Sequence, residues 1–169
     1  METRILFLLV VLFSTELHAG VWVSSDSPIP LNRVVTNFKR DNGMKMELSK
    51  PRAGLWVSAD GPIPDGYVAV ARKEKPISGY KVDKFFFVKL AKVSRKKMVI
   101  VAGRIPDDFA VTALQQKGLT LYYTIRPAKS GLWALASHIP DGYVSTETRM
   151  KRRGNSNWRD KFSRIKLLD

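Results

Sequence analysis

Short runs of alternating or β-branched residues recur along the chain, separated by turn residues. Such runs between Gly, Pro and Asp are typical of strands. No long segment with helical periodicity precedes residue 150. The pattern predicts an all-β protein, a sandwich, barrel or prism, with strands at Val21–Ser24, Val34–Phe38, Leu55–Ala59, Tyr67–Arg72, Phe85–Leu90, Val99–Ala102, Phe109–Ala113, Leu119–Ile125 and Tyr143–Thr146.

One phrase occurs four times and sets the predicted domain organisation. It opens on Trp or Val, closes on an Ile-Pro turn, and lies near 22–32, 56–67, 99–109 and 133–143. The Ile-Pro pairs are 34, 42 and 34 residues apart, which indicates two tandem units of two half-repeats. We expect an antiparallel tandem-repeat β prism or sandwich with units at 20–95 and 96–148, followed by a tail at 149–169.

Each phrase ends at a position that favours a left-handed backbone. Asn32, Gly66, Asp108 and Gly142 occupy it, and these residue types adopt positive φ most easily. The sequence predicts the same turn four times, with positive φ at each position.

The N-terminus has the layout of a secretory signal peptide. A short polar start precedes the apolar run Ile5–Phe13, and a polar stretch ends at the small residue Ala19. A membrane anchor would need about 20 apolar residues, and Glu16 interrupts the run. We expect residues 1–19 to be removed and the protein to be secreted.

The composition excludes several classes of site. The chain has no Cys, so disulfide frameworks, thiol nucleophiles and zinc ribbons are out. The mature part holds one His, His138, and no triad spacing, phosphate loop or metal-ligand cluster. We therefore expect a non-enzymatic binder without catalytic residues, metal or cofactor. Asp60, with Asp26, lies three residues before an Ile-Pro pair, either in a shared ligand site or as a solvated loop residue.

Positive charge is concentrated in two blocks. The chain carries 29 Lys and Arg against 15 Asp and Glu, with eleven basic and two acidic residues in 69–104 and eight and two in 149–169. Such blocks favour an anionic partner, although a merely soluble basic surface is the alternative. Because the chain has an export signal and no nucleic-acid-binding motif, anionic glycans or lipid head groups are expected rather than nucleic acid.

The tail shows near-helical spacing of apolar residues with cations between them. This predicts a short basic amphipathic helix for an anionic membrane surface, or one that docks onto the β domain. The run 149–152 resembles a convertase site, so cleavage after Arg152 is a further possibility. The predicted surface residues are Trp158, Arg159, Lys161, Phe162, Arg164 and Lys166.

Three of the four Trp residues open repeats. Trp22, Trp56 and Trp133 are either core anchors or exposed platforms on which a sugar ring stacks. At least one of Phe85, Phe86 and Phe87 must leave the core face, because successive strand residues alternate.

Two motifs resemble the DM9-repeat family. They are Trp22-Val-Ser-x-x-x-x-Ile-Pro30 with Asn32-Arg-Val-Val35 and Asp41-Asn-Gly43, and Val68-Ala-Val-Ala-Arg72 followed by Ile77-Ser-Gly-Tyr-Lys-Val82. The likeness covers roughly residues 20–148. The chain is also similar to vacuolar sorting protein 62-like proteins through its Trp…Pro-x-Pro-x-Gly-Tyr phrase.

The DM9 resemblance implies an all-β lectin-like module that binds glycans, typically of mannose type, through polar and acidic side chains. It places Asp41 and Lys81 in the ligand site, and the chain departs from the family at Ser78-Gly79-Tyr80 and in lacking a Gly-Gly-Lys-Glu signature. The expected function is secreted, non-enzymatic binding of glycans or anionic surfaces. The alternative is a membrane-active or antimicrobial effector that acts on anionic lipid.

Overall fold

The protein is all-β. A computed structural model describes residues 20–76, 84–154 and 157–168, and no helix occurs among them. The twelve strands are β1 (Val21–Ser24), β2 (Val34–Arg40), β3 (Met44–Ser49), β4 (Trp56–Ser58), β5 (Tyr67–Pro76), β6 (Lys84–Lys92), β7 (Met98–Val101), β8 (Phe109–Lys117), β9 (Thr120–Pro127), β10 (Trp133–Leu135), β11 (Tyr143–Arg152) and β12 (Arg159–Leu167).

The strands form four three-stranded antiparallel sheets of identical topology. Their orders are β1-β3-β2, β4-β6-β5, β7-β9-β8 and β10-β12-β11, so the third strand of each repeat pairs with both others. Each copy of the repeated phrase therefore opens one complete sheet. The boundary proposed at 95/96 falls between the second and third sheets, and the grouping into two units stays an interpretation.

A β-bulge recurs at one place in every sheet. It follows Val35, Ala69, Val111 and Ser145 in the second strand of the four repeats. In three sheets the extra residue is a Thr whose hydroxyl donates to the central strand, as from Thr112 to the Thr124 carbonyl at 3.2 Å. Because the bulge fixes the register, residues of different sheets are equivalent when they lie at the same distance from it.

The predicted Ile-Pro turn is present four times, but its backbone differs between copies. In each, the amide three residues after Pro donates to the Pro carbonyl, at 2.9–3.2 Å. Gly66 and Gly142 have φ of 77° and 78°, as predicted. The prediction of positive φ at Asn32 and Asp108 is wrong, because a β-turn can close with negative φ at its third residue when that residue carries a side chain.

The core runs between consecutive sheets. Its largest cluster joins Val68 of the second sheet, Ile100 and Leu114 of the third, and Leu135 and Phe162 of the fourth. The first two sheets are joined by aromatic rings, since the centroid of Phe38 lies 4.5 Å from Phe85 and 6.3 Å from Phe87. Among described residues, the substantial packing between sheets joins neighbours, through β2 and β4, β5 and β7, and β8 and β10.

The prediction of a C-terminal helix is wrong. Residues 159–167 form β12, the central strand of the fourth sheet, paired with β10 and β11. Phe162 and Ile165 occupy the core of this part of the fold. The spacing of these two side chains fits a helix and equally a strand whose two faces are both covered.

Candidate functional site

Each tryptophan that opens a repeat carries a cation over its ring. Lys39 Nζ lies 4.5 Å from the Trp22 ring centroid, and Lys73 Nζ lies 4.1 Å from that of Trp56. The guanidinium carbon of Arg149 lies 3.9 Å from the Trp133 ring centroid. These three contacts, the Trp–cation pairs, are within the range in which a ring face attracts a cation.

The Trp–cation pairs stand at equivalent positions of three sheets. Lys39, Lys73 and Arg149 all lie four residues beyond the residue that precedes the bulge. The third sheet has Val99 and Gln115 at the two positions, so it lacks both partners. Within this chain, a sheet therefore has both the tryptophan and the cation, or it has neither.

The tryptophans fit neither interpretation alone, because Trp133 packs against the largest core cluster while each of the three stays partly exposed. Trp22 is exposed over 37% of its surface, while Trp56 and Trp133 are half-buried. All three are accessible in part, but one face of each ring already holds a cation. The contact with the ring restricts the long, flexible side chain of the Lys or Arg. Each pair therefore offers a ligand a positive charge that is held in place over an aromatic ring.

A cleft lies between the second and third sheets. Its volume is about 490 Å³, and it is lined by the loop 59–63, the segment 101–104 and side chains of β5 and β6. The apolar part includes Ile63, Val88 and Val101, and the polar part consists of Asp60, Arg72 and Arg104. This volume falls in the range of about 300–1,000 Å³ that is usual for ligand pockets.

Arg72 occupies a position that is apolar in the neighbouring sheets. Its equivalents in the two adjacent sheets, three residues beyond the residue before the bulge, are Phe38 and Leu114, and the equivalent in the fourth sheet is Thr148. Phe38 packs on the aromatic rings of the second sheet, and Leu114 is buried between the third and fourth sheets. The cleft opens where this apolar side chain is replaced by a guanidinium.

The Arg72 guanidinium is held by an aromatic ring and lacks a complete set of acceptors. Its central carbon lies 3.9 Å from the centroid of the Phe86 ring. Its Nε is buried and has no hydrogen-bond partner among the described residues. A buried donor without an acceptor costs about 1–3 kcal/mol, so the placement of Arg72 at this position is unfavourable for folding.

Asp60 is the predicted site residue that the structure brings to the cleft. Its side chain is exposed at the cleft, and its backbone amide donates to Ser58 Oγ at 3.4 Å. Arg104, also at the cleft, has its Nη1 2.8 Å from Asp65 Oδ1. Arg72, the last residue of the predicted strand Tyr67–Arg72, was not among the predicted site residues.

Asp41 lies away from the cleft lining, in the hairpin between β2 and β3. Its Oδ2 is 3.2 Å from Lys45 Nζ and 3.9 Å from Lys39 Nζ. Asp41 therefore pairs mainly with Lys45, and it lies at the limit of ion-pair distance from Lys39 of the first Trp–cation pair. Its role in ligand binding stays a prediction, and Lys81 lies outside the described residues.

The residues predicted to contact an anionic membrane surface lie in and beside strand β12, and one of them is buried. Phe162 is buried with 2% exposure, so its assignment to a membrane surface is wrong. The side chains of Arg159 and Lys161 leave one face and those of Arg164 and Lys166 the other, because strand residues alternate. Trp158, exposed over 71%, lies in the β11–β12 hairpin.

A bidentate ion pair closes this hairpin. Arg153 donates from Nε and Nη2 to the two carboxylate oxygens of Asp160, at 3.0 and 2.6 Å. These hydrogen bonds raise the pKa of Arg153 above its usual value. The contact fixes the end of β12 and was not visible in the sequence, because it depends on the hairpin register.

The described residues contain no group of three or more His, Cys, Asp or Glu side chains placed to hold a metal ion. In the same part of the chain, no helix has the length and apolar character needed to cross a membrane. Comparison with family models, curated proteins and solved structures finds no match to this chain.

Proposed function

We propose that this chain is a secreted, non-enzymatic binding protein for anionic glycans, which it holds through the cations of the Trp–cation pairs. The recurrence of these pairs at one position of three sheets carries the proposal. A repeated cation suits a polymer that repeats its own charge, because linked contacts add to the apparent affinity.

The electrostatics support an anionic rather than a neutral glycan. The whole chain carries a net charge of +14, and a tryptophan face already covered by a cation is less available for stacking on a neutral sugar ring. Carboxylate and sulfate groups along a glycan are the complementary charges that such a surface attracts.

The test compares the binding of the protein to a charged and to a neutral immobilised glycan. Immobilised heparin, as a sulfated glycan, and mannan, as a neutral mannose polymer, are exposed to the protein at physiological salt. We expect binding to heparin and little to mannan. A variant with Lys39→Gln, Lys73→Gln and Arg149→Gln should bind heparin at least about tenfold more weakly, a change of about 1.4 kcal/mol.

A matched control variant shows whether heparin affinity depends on where the cations lie or only on the total charge. Arg52→Gln, Lys96→Gln and Lys129→Gln remove the same three charges from exposed residues between strands. This control should keep most of the affinity. Equal losses in the two variants would show that only net charge matters, and preferred binding to mannan would contradict the proposal.

One observation favours a second function, binding to anionic lipid. The exposed Trp158 lies in a hairpin beside the exposed cations Arg152 and Arg159, and Trp with cations is a combination found at membrane interfaces. Vesicles of phosphatidylcholine with and without phosphatidylglycerol test it. This function would be supported if Trp158→Ser abolished vesicle binding and the variant with Lys39→Gln, Lys73→Gln and Arg149→Gln left it unchanged.

A further inference from the structure

We propose that the cleft between the second and third sheets binds a small carboxylate-bearing sugar, with Arg72 as the residue that receives the carboxylate. This site goes beyond the anionic-glycan surface proposed above. It lies between sheets and uses none of the three Trp–cation pairs, so either proposal can fail without the other.

The replacement of an apolar residue by Arg72 argues for a ligand. Phe38 and Leu114 show that an apolar side chain at this position fills the space between neighbouring sheets. An arginine here gives up that packing and opens a cleft of about 490 Å³. Exchanging apolar packing for an open charged cleft is costly for folding alone, which points to a role in binding.

The charge at Arg72 has no internal counterpart among the described residues. No ion pair within 4.0 Å joins it to a described carboxylate, and Asp65 is engaged by Arg104. A half-buried cation that forms no ion pair attracts an anion from solution, and the attraction is stronger than at a fully hydrated surface. The planar guanidinium fork matches a carboxylate better than a lysine would.

The remaining lining favours a sugar ring over a simple carboxylate. Pro62 is exposed and Ile63 half-buried at the cleft, so they can offer apolar surface to the C–H face of a ring, whereas Val88 and Val101 are buried. Asp60, exposed at the cleft, can accept hydrogen bonds from ring hydroxyls. A hexuronic acid combines these features, since it carries one carboxylate on a polyhydroxylated ring.

The experiment uses three matched probes with the whole mature protein. Glucuronate, glucose and acetate are titrated while the melting temperature is recorded, because a ligand that binds the folded state raises it. We expect a saturable rise with glucuronate, a smaller one with acetate and none with glucose. The absence of a glucuronate response in the wild-type protein would overturn the proposal.

Two variants at Arg72 distinguish a binding role from a structural one. Arg72→Leu restores the residue type of the third sheet, so its melting temperature without ligand should equal or exceed that of the wild type, while the glucuronate response is lost. Arg72→Lys keeps the charge without the fork and should respond at least several-fold more weakly. A full response in Arg72→Leu would contradict the assignment.

Two further variants guard against an unfolded or merely less charged protein. A Cβ added at Gly103 would have no atom closer than 3.9 Å, and Gly103 does not have a positive φ. Gly103→Leu should therefore fold, reduce the cleft and lose the response with Arg72 intact. Arg95→Leu removes an exposed charge elsewhere and should respond like the wild type. The variant lacking the three paired cations should keep its glucuronate response, whatever its affinity for heparin.

Discussion

At the scale of single residues, backbone conformation separates positions that look alike in sequence. Gly66 and Gly142 have positive φ, whereas Asn32 and Asp108 in the equivalent turns do not. The sequence showed which residues could adopt a left-handed backbone, but several turn types accept Asn and Asp. Only the glycine positions depend on that freedom.

Replacement of either turn glycine by valine should therefore destabilise the protein. Gly66→Val and Gly142→Val should each lower the free energy of unfolding by roughly 1 kcal/mol or more, because a β-branched residue is strained at positive φ. Asn32→Val, in the turn without positive φ, should change it by less than about 0.5 kcal/mol. Chemical denaturation measures the three values, and equal losses at all three positions would contradict the turn assignment.

Residue identity also explains why the cleft was not foreseen. Asp60 was singled out from its spacing to an Ile-Pro pair, and it does line the cleft. Arg72 gave no such signal, because a single cation in a basic segment is ordinary. Its significance appears only when the bulges align it with Phe38 and Leu114.

The Trp–cation pairs predict a measurable coupling. In a double-mutant cycle on Trp133→Leu and Arg149→Gln, the pair should show a coupling of about 0.5–1 kcal/mol in unfolding free energy, as is usual for accessible cation–π contacts. The same cycle on Trp133 and Arg126, whose exposed side chain belongs to the third sheet, serves as the control. A coupling near zero for both pairs would show that the Trp133 ring does not hold the Arg149 side chain in place.

At the scale of secondary-structure elements, the sequence predicted nine strands and missed three. The missed strands are β3, β10 and β12. β10 has three residues, too few for periodicity to be seen. β12 was assigned to a helix because Phe162 and Ile165 are three residues apart, and their burial on opposite faces of one strand depends on neighbours from both sides.

The central position of β12 makes the C-terminal segment indispensable to the fourth sheet. Phe162→Ala should cost about 3–5 kcal/mol of unfolding free energy, the range for a large buried side chain. Lys166→Ala, at an exposed position of the same strand, should cost less than about 0.5 kcal/mol. Thermal or chemical unfolding tests both, and similar small effects would restore the interpretation of this segment as a separate surface tail.

Deletion of residues 154–169 should likewise damage the fold rather than only its adhesion to anionic surfaces. It removes the strand that pairs with both β10 and β11 and exposes their edges. We expect the truncated protein to be cleaved within 133–153 under limited proteolysis that leaves the full chain intact. Unchanged protease resistance would show that β12 is dispensable.

At the scale of the whole molecule, the repeat was the strongest signal in the sequence. The four phrases marked the starts of the four sheets, because each sheet must supply the same turn and the same opening strand. The way the sheets pack could not be predicted, since it depends on which side chains meet between neighbours. The cleft and the Trp–cation pairs both follow from that packing and register.

If the protein is exported, its mature form should have a defined N-terminus. Residues 1–19 lie outside the described part of the structure, and their sequence has the layout of a cleaved signal peptide. Intact-mass measurement of protein recovered outside the cell should give a chain that begins near Gly20 or Val21. A stable full-length species inside the cell would contradict secretion.

The salt dependence of heparin binding tests whether the cations held over tryptophan rings bind an anionic glycan. Each cation that releases counterions from a polyanion steepens the fall of the logarithm of the affinity with the logarithm of the salt concentration by somewhat less than about one. We expect Lys39→Gln, Lys73→Gln and Arg149→Gln together to flatten this slope by roughly two to three, and Arg52→Gln, Lys96→Gln and Lys129→Gln to change it by less than about one. Equal slopes for the wild type and the first variant would show that the cations of the Trp–cation pairs do not bind heparin.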